Sequence, residues 1–264
     1  FSGTPVAPWT SYPGKNYWIT ETSAWCSGCD AGGTGPPNEW NFATQTTDII
    51  LGDINNGFSA ALIWEAYDSF WYHHNASSLW GLLAYNPVTG IYTPRTRAYA
   101  YAHFNHFLEP GDVVIGSSES IGSVPTTVAV YNATTGKIAI VGRNSGTSPI
   151  TINGQLSNLP EVNTLALYET SSSVNLSRKG DVPVAGGIFT AQISADAIFS
   201  LTNQPITFDL EPPTVAITSP LIGASVAGTI EAVANASDNN MVAGVQCVLD
   251  GASIGQEFVA SPYS

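Results

Sequence analysis

Three hydrophobic patterns succeed one another along this chain, and each predicts a different element. Tyr17-Trp18-Ile19-Thr20 is a short aromatic and β-branched run, which predicts a strand over Tyr17 to Thr20. From Phe42 to Ile54 the period lengthens: Phe42, Ile49, Ile50 and Ile54 fall largely on one stripe, as on a helix that Asn56-Gly57 then stops. Ser59 to Trp64 is almost wholly apolar, the pattern of a parallel strand buried on both faces. A longer loop follows, rich in rings and His: Tyr67, Phe70, Trp71, Tyr72, His73, His74 and Trp80. Thr96 to Leu108 reads as a second helix, with Tyr99, Phe104, Phe107 and Leu108 apolar and Pro110-Gly111 ending it. Two βα units joined in this way predict that residues 1–110 are part of an α/β barrel.

From Gly111 the period drops to two. Short strands are expected at Val113–Ile115, Thr127–Tyr131, Lys137–Val141, Ile150–Asn153, Leu165–Glu169, Gly187–Ile193 and Ile198–Thr202. Turn residues separate them, among them Thr135-Gly136 and Asn153-Gly154. Regular short strands with turn signals predict an antiparallel β-sandwich over residues 111–203. Residues 204–213 read as a linker ending in Glu211-Pro212-Pro213. Residues 214–264 then open a second all-β module, with strands at Thr214–Thr218, Thr229–Ala236, Val242–Leu249 and Gly255–Val259. Four strands are fewer than the roughly seven of an immunoglobulin-like sandwich, so this module is expected to be partial.

Composition narrows the partners. Acids outnumber bases 20 to 7, and the net charge of -13 leaves no basic stripe for nucleic acid or for an anionic membrane surface. No apolar run is long enough to span a bilayer. Neutral polymers remain, and a chain that is 11% aromatic suits them, because rings stack on sugar faces. The chain begins at Phe1, which suggests a processed or excised piece, and its low lysine with abundant Thr, Ser, Asn and Gly suggests secretion. A monomer is expected.

Two loops carry the candidate chemistry. Glu21 stands where the first strand gives way to Ser23, Gly28 and a glycine-rich loop, and the carboxyl ends of barrel strands are where such enzymes hold catalytic groups. Glu65 follows the second strand and faces the same mouth. Trp64, Trp25, Tyr67 and Trp71 cluster in these two loops, where aromatic rings suit stacking on a neutral polymer. Cys26 and Cys29 form a C-x-x-C in the first loop, with Cys247 far away. A loop disulfide is the leading reading, with Cys247 a buried free thiol. A zinc half-site needs two more ligands that the spacing does not supply, and a thioredoxin-type motif needs its own fold. His73-His74 lack a third ligand, so no metal and no cofactor is expected. Asp30, Glu39 and Asp68 read as solvated loop acids.

Trp18-Ile19-Thr20-Glu21, then Leu62-Ile63-Trp64, then a helix with Tyr99, Phe104 and Phe107 before Pro110-Gly111, then a sandwich, together resemble the carboxyl half of a retaining (β/α)8-barrel glycoside hydrolase. Glycoside hydrolase family 30 is the nearest likeness: glucosylceramidases, endoxylanases and endo-β-1,6-galactanases. The resemblance covers roughly residues 1–203. It implies that Glu21 is the nucleophile on the seventh barrel strand and that Trp64 floors the sugar site on the eighth. It also implies an acid/base from the fourth strand, upstream of this chain, with Glu65 a subsite residue. In a retaining mechanism the two carboxylates lie ~5–5.5 Å apart. Cys26-x-x-Cys29 departs from the family pattern. Residues 212–264 separately resemble the bacterial immunoglobulin-like repeats appended to secreted hydrolases, on Pro212-Pro213-Thr214-Val215, Ala236-Ser237-Asp238-Asn239 and Val245 to Gly251. The expected function is therefore secreted hydrolysis of a β-linked polysaccharide of xylan, β-1,6-glucan or β-1,6-galactan type, by a protein of which this fragment, alone, is inactive. The rival is a non-catalytic carbohydrate-binding or adhesion β-sandwich protein.

Overall fold

In a computed structural model the chain forms two compact units, residues 1–205 and 206–264. The structure describes residues 15–30, 38–71, 76–116, 126–206, 213–239, 241–259, 261 and 263. Tyr72, His73 and His74 lie outside them, as does part of the predicted linker.

The first unit opens with strand β1 (Trp18–Thr22), helix α1 (Glu39–Asn55) and strand β2 (Ala60–Ile63). β1 and β2 pair in parallel, with Trp18 opposite Ala60 and Thr22 opposite Ile63. Helix α1 starts at Asn38, whose side-chain oxygen accepts the Asn41 amide at 2.9 Å. It stops at Asn56-Gly57, where Gly57 takes a φ of 89° that a side chain would resist. Its buried face is broader than the apolar stripe. Thr46 and Thr47 are buried beside Phe42, Ala43, Ile50 and Leu51, and their hydroxyls donate back to the Phe42 and Ala43 carbonyls.

β2 is not buried on both faces as its composition suggests. Leu62 is 47% exposed, because among the described residues β1 is the strand's one sheet neighbour. The stretch expected to be an open loop after it contains two hairpins. One joins β3 (Ser69–Trp71) to β4 (Ala76–Ser78), the other β5 (Leu83–Asn86) to β6 (Ile91–Pro94). Asp68, expected at the surface, is the buried post that ties them. Its carboxylate accepts the Gly81 and Tyr85 amides at 3.1 and 3.2 Å and the Arg95 guanidinium at 2.6 Å. The close approach demands glycine at 81, where a Cβ would lie 2.2 Å from the Asp68 nitrogen.

Helix α2 (Thr96–Asn105) is shorter than expected, because the chain turns at His106 and Phe107. The antiparallel strands follow: β7 (Val113–Ile115), β8 (Thr126–Asn132), β9 (Lys137–Asn144), β10 (Ile150–Gln155), β11 (Thr164–Ser171), β12 (Val174–Ala185), β13 (Ile188–Ile193) and β14 (Ala197–Thr202). They make one sheet in the order β10-β13-β12-β11-β14-β9-β8-β7, not the two separate sheets of a sandwich. The reason is β12. Its early residues pair with β11 and its last two with β13, so one strand carries the sheet around a single core. Leu165, Leu167, Val184, Phe189, Ile193, Phe199 and Leu201 fill that core. The other face of β11 and β14 packs on α2. Phe107 meets Tyr168 at 5.0 Å, and the buried His103 ring places its two nitrogens 2.7 Å from Ser200 Oγ and 2.9 Å from Thr170 Oγ1.

The second unit pairs β15 (Thr214–Ser219) with β16 (Val233–Ser237) and β17 (Val245–Leu249) with β18 (Ala252–Phe258), each pair antiparallel. Cys247 is free and half-buried rather than buried.

Candidate active site

The parallel register brings the two candidate acids to one end of the β1–β2 pair. The Trp64 amide donates to the Thr22 carbonyl at 3.2 Å, so the residues just past β2 sit beside the end of β1. Glu21 lies inside β1 rather than beyond it. Between Ile19 and Thr22 the register shifts, and β1 spends three residue steps where β2 spends two. Glu21 therefore sits in a bulge, a local irregularity that re-aims the side chains it carries. Its side chain is exposed and makes no hydrogen bond or ion pair to another described residue.

Glu65 differs. It is half-buried and accepts the Ser78 hydroxyl at 2.7 Å. Burial pushes its carboxyl above the usual carboxylate range; hydrogen bonds from Ser78 and Ser69 pull it back, and the Asp68 charge adds to the rise. A carboxyl so placed holds its proton to higher pH than a solvated one. The peptide between Trp64 and Glu65 is cis, and Trp64 is 39% exposed.

The loop after β1 is pinned at several points. The Ala24 amide donates to Thr46 Oγ1 at 3.0 Å, and the Leu79 amide donates to the Cys29 carbonyl at 2.9 Å. Cys26 and Cys29 are joined by a disulfide and are both buried. Arg97, fully buried, lies under this loop. It grips Glu39 with two guanidinium bonds of 2.7 and 2.8 Å, donates to the Trp80 carbonyl and covers the Phe42 ring at 4.2 Å. Glu39 is thus an anchor for a buried cation, not a solvated loop acid. Phe42 packs edge-on against Trp80, and Trp80 against Trp25 at 5.7 Å, which leaves Trp25 72% exposed.

Tyr67 is exposed and meets Tyr92 edge-on at 5.7 Å, with Tyr85 a further 4.8 Å away. Tyr85 and Tyr92 escaped the sequence reading. The signal was there: they are cross-strand partners in the β5–β6 hairpin, set by the four-residue turn between two short runs. Trp71 belongs to β3. Among the described residues no group of three or more His, Cys, Asp or Glu is arranged to hold a metal ion, and no helix is long and apolar enough to cross a membrane.

Comparison with known proteins bears on the fold. Residues 213–264 match the family model of the bacterial Ig domain. No curated protein matches the chain. Among solved structures the similar ones include glycoside hydrolases. A family 30 endoxylanase from Clostridium papyrosolvens C71 superposes with a TM-score of 0.54 at 21% identity, over 72% of this chain and 42% of that one. An endo-β1,6-glucanase gives 0.51 at 18% identity, over 73% and 36%. A conserved exported protein from Bacteroides fragilis gives 0.55 at 15% identity, over 72% and 39%. The chain thus shares a fold with glycoside hydrolases and spans less than half the length of each of these three.

Proposed function

We infer that the chain is the carboxyl-terminal part of a secreted, retaining O-glycosyl hydrolase acting on a β-linked polysaccharide of xylan, β-1,6-glucan or β-1,6-galactan type. In this reading residues 1–110 are the last two βα units of a (β/α)8 barrel and residues 111–203 the side domain. Residues 204–213 are the linker and residues 214–264 a partial immunoglobulin-like module. The observation that carries it is the bulged Glu21 at the end of a parallel βαβ unit, beside Trp64-Glu65. Glu21 attacks the anomeric carbon, and a carboxyl from outside this chain protonates the leaving oxygen. Trp64 forms the floor under the sugar, and Trp25, Tyr67 and Trp71 extend it. Glu65, protonated more readily than a free carboxylate, hydrogen-bonds a sugar hydroxyl. The buried disulfide and the exported neighbour favour an oxidising, extracellular setting.

The test is substitution in the complete enzyme, assayed on those three polymers. Glu21→Gln is expected to cut turnover by roughly 10³-fold or more, and Glu65→Gln to raise KM more than it lowers kcat. If Glu65→Gln abolishes turnover while Glu21→Gln stays active, the two roles are reversed. The 264-residue chain alone is expected to be inactive.

A further inference from the structure

A second recess lies beside the loop after β1 and shares one residue, Trp25, with the sugar floor proposed around Trp64. It is a cavity of about 280 Å³ between the disulfide loop and the outer face of α1. Trp25, Ser27, Asn38, Asn41 and Gln45 line it, with the Phe42 edge and Cys26 at its back. The volume is near the small end of ligand pockets, ~300–1,000 Å³, which suits one or two rings rather than a long oligomer.

The lining has the chemistry of a neutral sugar site. Among the described residues that line it, none carries a charge. Trp25 offers an exposed ring held from behind by Trp80. An indole face is electron-rich, so it attracts the slightly positive C–H face of a pyranose while excluding water from it. Three amides stand around that ring. The Asn38 oxygen is used by the Asn41 amide, and the Asn41 side-chain oxygen accepts from Gln45 Nε2 at 3.2 Å. Those bonds fix the side chains and leave other atoms without partners among the described residues: the Nδ2 groups of Asn38 and Asn41, the Gln45 oxygen and the Ser27 hydroxyl. Donors and an acceptor side by side match a pair of neighbouring sugar hydroxyls, each of which both donates and accepts. Asn41 and Gln45 are one helical turn apart, so α1 sets their spacing.

The larger cavity, about 420 Å³ between β11, β12 and β13, lacks these features. Among the described residues no aromatic ring lines it, and its buried acid, Glu169, is already satisfied by the Ser194 amide and hydroxyl.

We propose that the Trp25–Asn38–Asn41–Gln45 cleft binds a neutral pyranose unit of the polysaccharide and grips the polymer without reacting with it. The polymer class rests on the glycosidase reading; the cleft uses neither Glu21 nor Glu65. Cys26 of the disulfide and Phe42, whose ring Arg97 covers at 4.2 Å, both line the cavity, and such fixed walls reduce what binding must order.

Binding to the 264-residue chain tests this by calorimetric titration with xylohexaose, cellohexaose and a β-1,6-linked glucotetraose. A hexameric oligogalacturonide serves as the charged control. At least one neutral probe is expected to bind with a Kd on the order of 1 mM. Asn41→Ala and Gln45→Ala, both on the exposed face of a helix, are expected to weaken it about 3- to 10-fold each, with unchanged circular dichroism. Glu21→Gln is expected to leave binding intact, so loss of turnover there and loss of binding here separate the two proposals. No binding, binding unmoved by Asn41→Ala and Gln45→Ala, or equal binding of the oligogalacturonide overturns the cleft. None of these results touches the role of Glu21.

Discussion

The parallel pair β1–β2 and the eight-stranded sheet β7–β14 belong to the same compact unit yet are built to opposite rules. In the large sheet Phe199, Leu201, Ile193 and Leu165 are wholly buried in a core formed by the sheet curling on itself. In the small one Trp18 and Leu62 stand in solvent, and Trp64, just past β2, is 39% exposed. Parallel sheets are ordinarily covered on both faces. The antiparallel part holds its own shape, whereas the part bearing Glu21 and Glu65 takes its order from neighbours: α1, the pinned loop after β1, and the hairpins tied by Asp68. The proposed chemistry sits on the less self-sufficient half.

Paired core truncations give the widest separation of the two regions. Phe199→Ala is expected to cost about 4 kcal/mol, as large aromatic deletions from packed cores do. Leu62→Ala should cost under about 1 kcal/mol, because half of that side chain is already in water. Urea denaturation of each variant reads the difference. If Leu62→Ala costs as much as Phe199→Ala, β2 is covered in solution and the contrast fails.

Next in size is the buried cation that supports the small sheet's loop. Arg97→Met removes a guanidinium bonded twice to Glu39, once to Trp80 and stacked on Phe42. The expected loss is about 3 kcal/mol, since Glu39 is left facing an apolar wall. The double variant Arg97→Met with Glu39→Gln should recover part of it. A double variant worse than the single one would mean that Glu39 is held by water and not by Arg97.

Much of this layout was legible in the sequence, and the failures have physical causes. Strand and helix periods located α1, α2 and seven of the eight strands in the large sheet. β12 was not among the expected strands: its stretch Arg178 to Pro183 holds charged residues, a glycine and a proline in place of an apolar alternation, yet Gly180 takes a φ of 135° at a register shift and Pro183 still pairs across from Thr164. Asp68 and Glu39 looked solvated because sequence cannot show a basic partner arriving from 27 or 58 residues away. The Glu21 bulge and the Asn41–Gln45 face have the same origin, since both depend on a neighbour's register or a helix's orientation.

Reduction of the Cys26–Cys29 disulfide is a smaller perturbation. The bridge spans three residues, and so short a loop contributes about 2 kcal/mol at most. Its effect should fall on the small sheet's side, where Trp25 and Trp80 touch across the loop. Tryptophan emission is expected to shift on reduction while amide exchange in β9, β11 and β14 stays slow. Faster exchange in those strands would show that the two regions are coupled more tightly than their packing implies.

The smallest effect per step, and the one that reports on the seam between the helices and the large sheet, is the titration of His103. Burial, with a minor contribution from His106, lowers its pKa from 6.5 to about 3, so the folded protein keeps the ring neutral between Ser200 and Thr170. Unfolded, the same ring binds a proton below 6.5. Between about pH 6.5 and 3 the unfolded state therefore holds more protons, and stability falls as pH falls. The slope from this group is at most ~1.4 kcal/mol per pH unit. Asp48 and Asp53 have raised values, chiefly from burial, and oppose the trend in part of the window. The difference between wild type and His103→Gln isolates the histidine. Glutamine keeps a donor and an acceptor but does not titrate, so the variant should lose less stability on acidification, and the gap seen at pH 7 should narrow steadily toward pH 4. A gap that holds constant over that range would mean the ring is protonated, or solvated, in the folded protein, and that α2 does not seal the sheet as tightly as its contacts with Ser200 and Thr170 indicate.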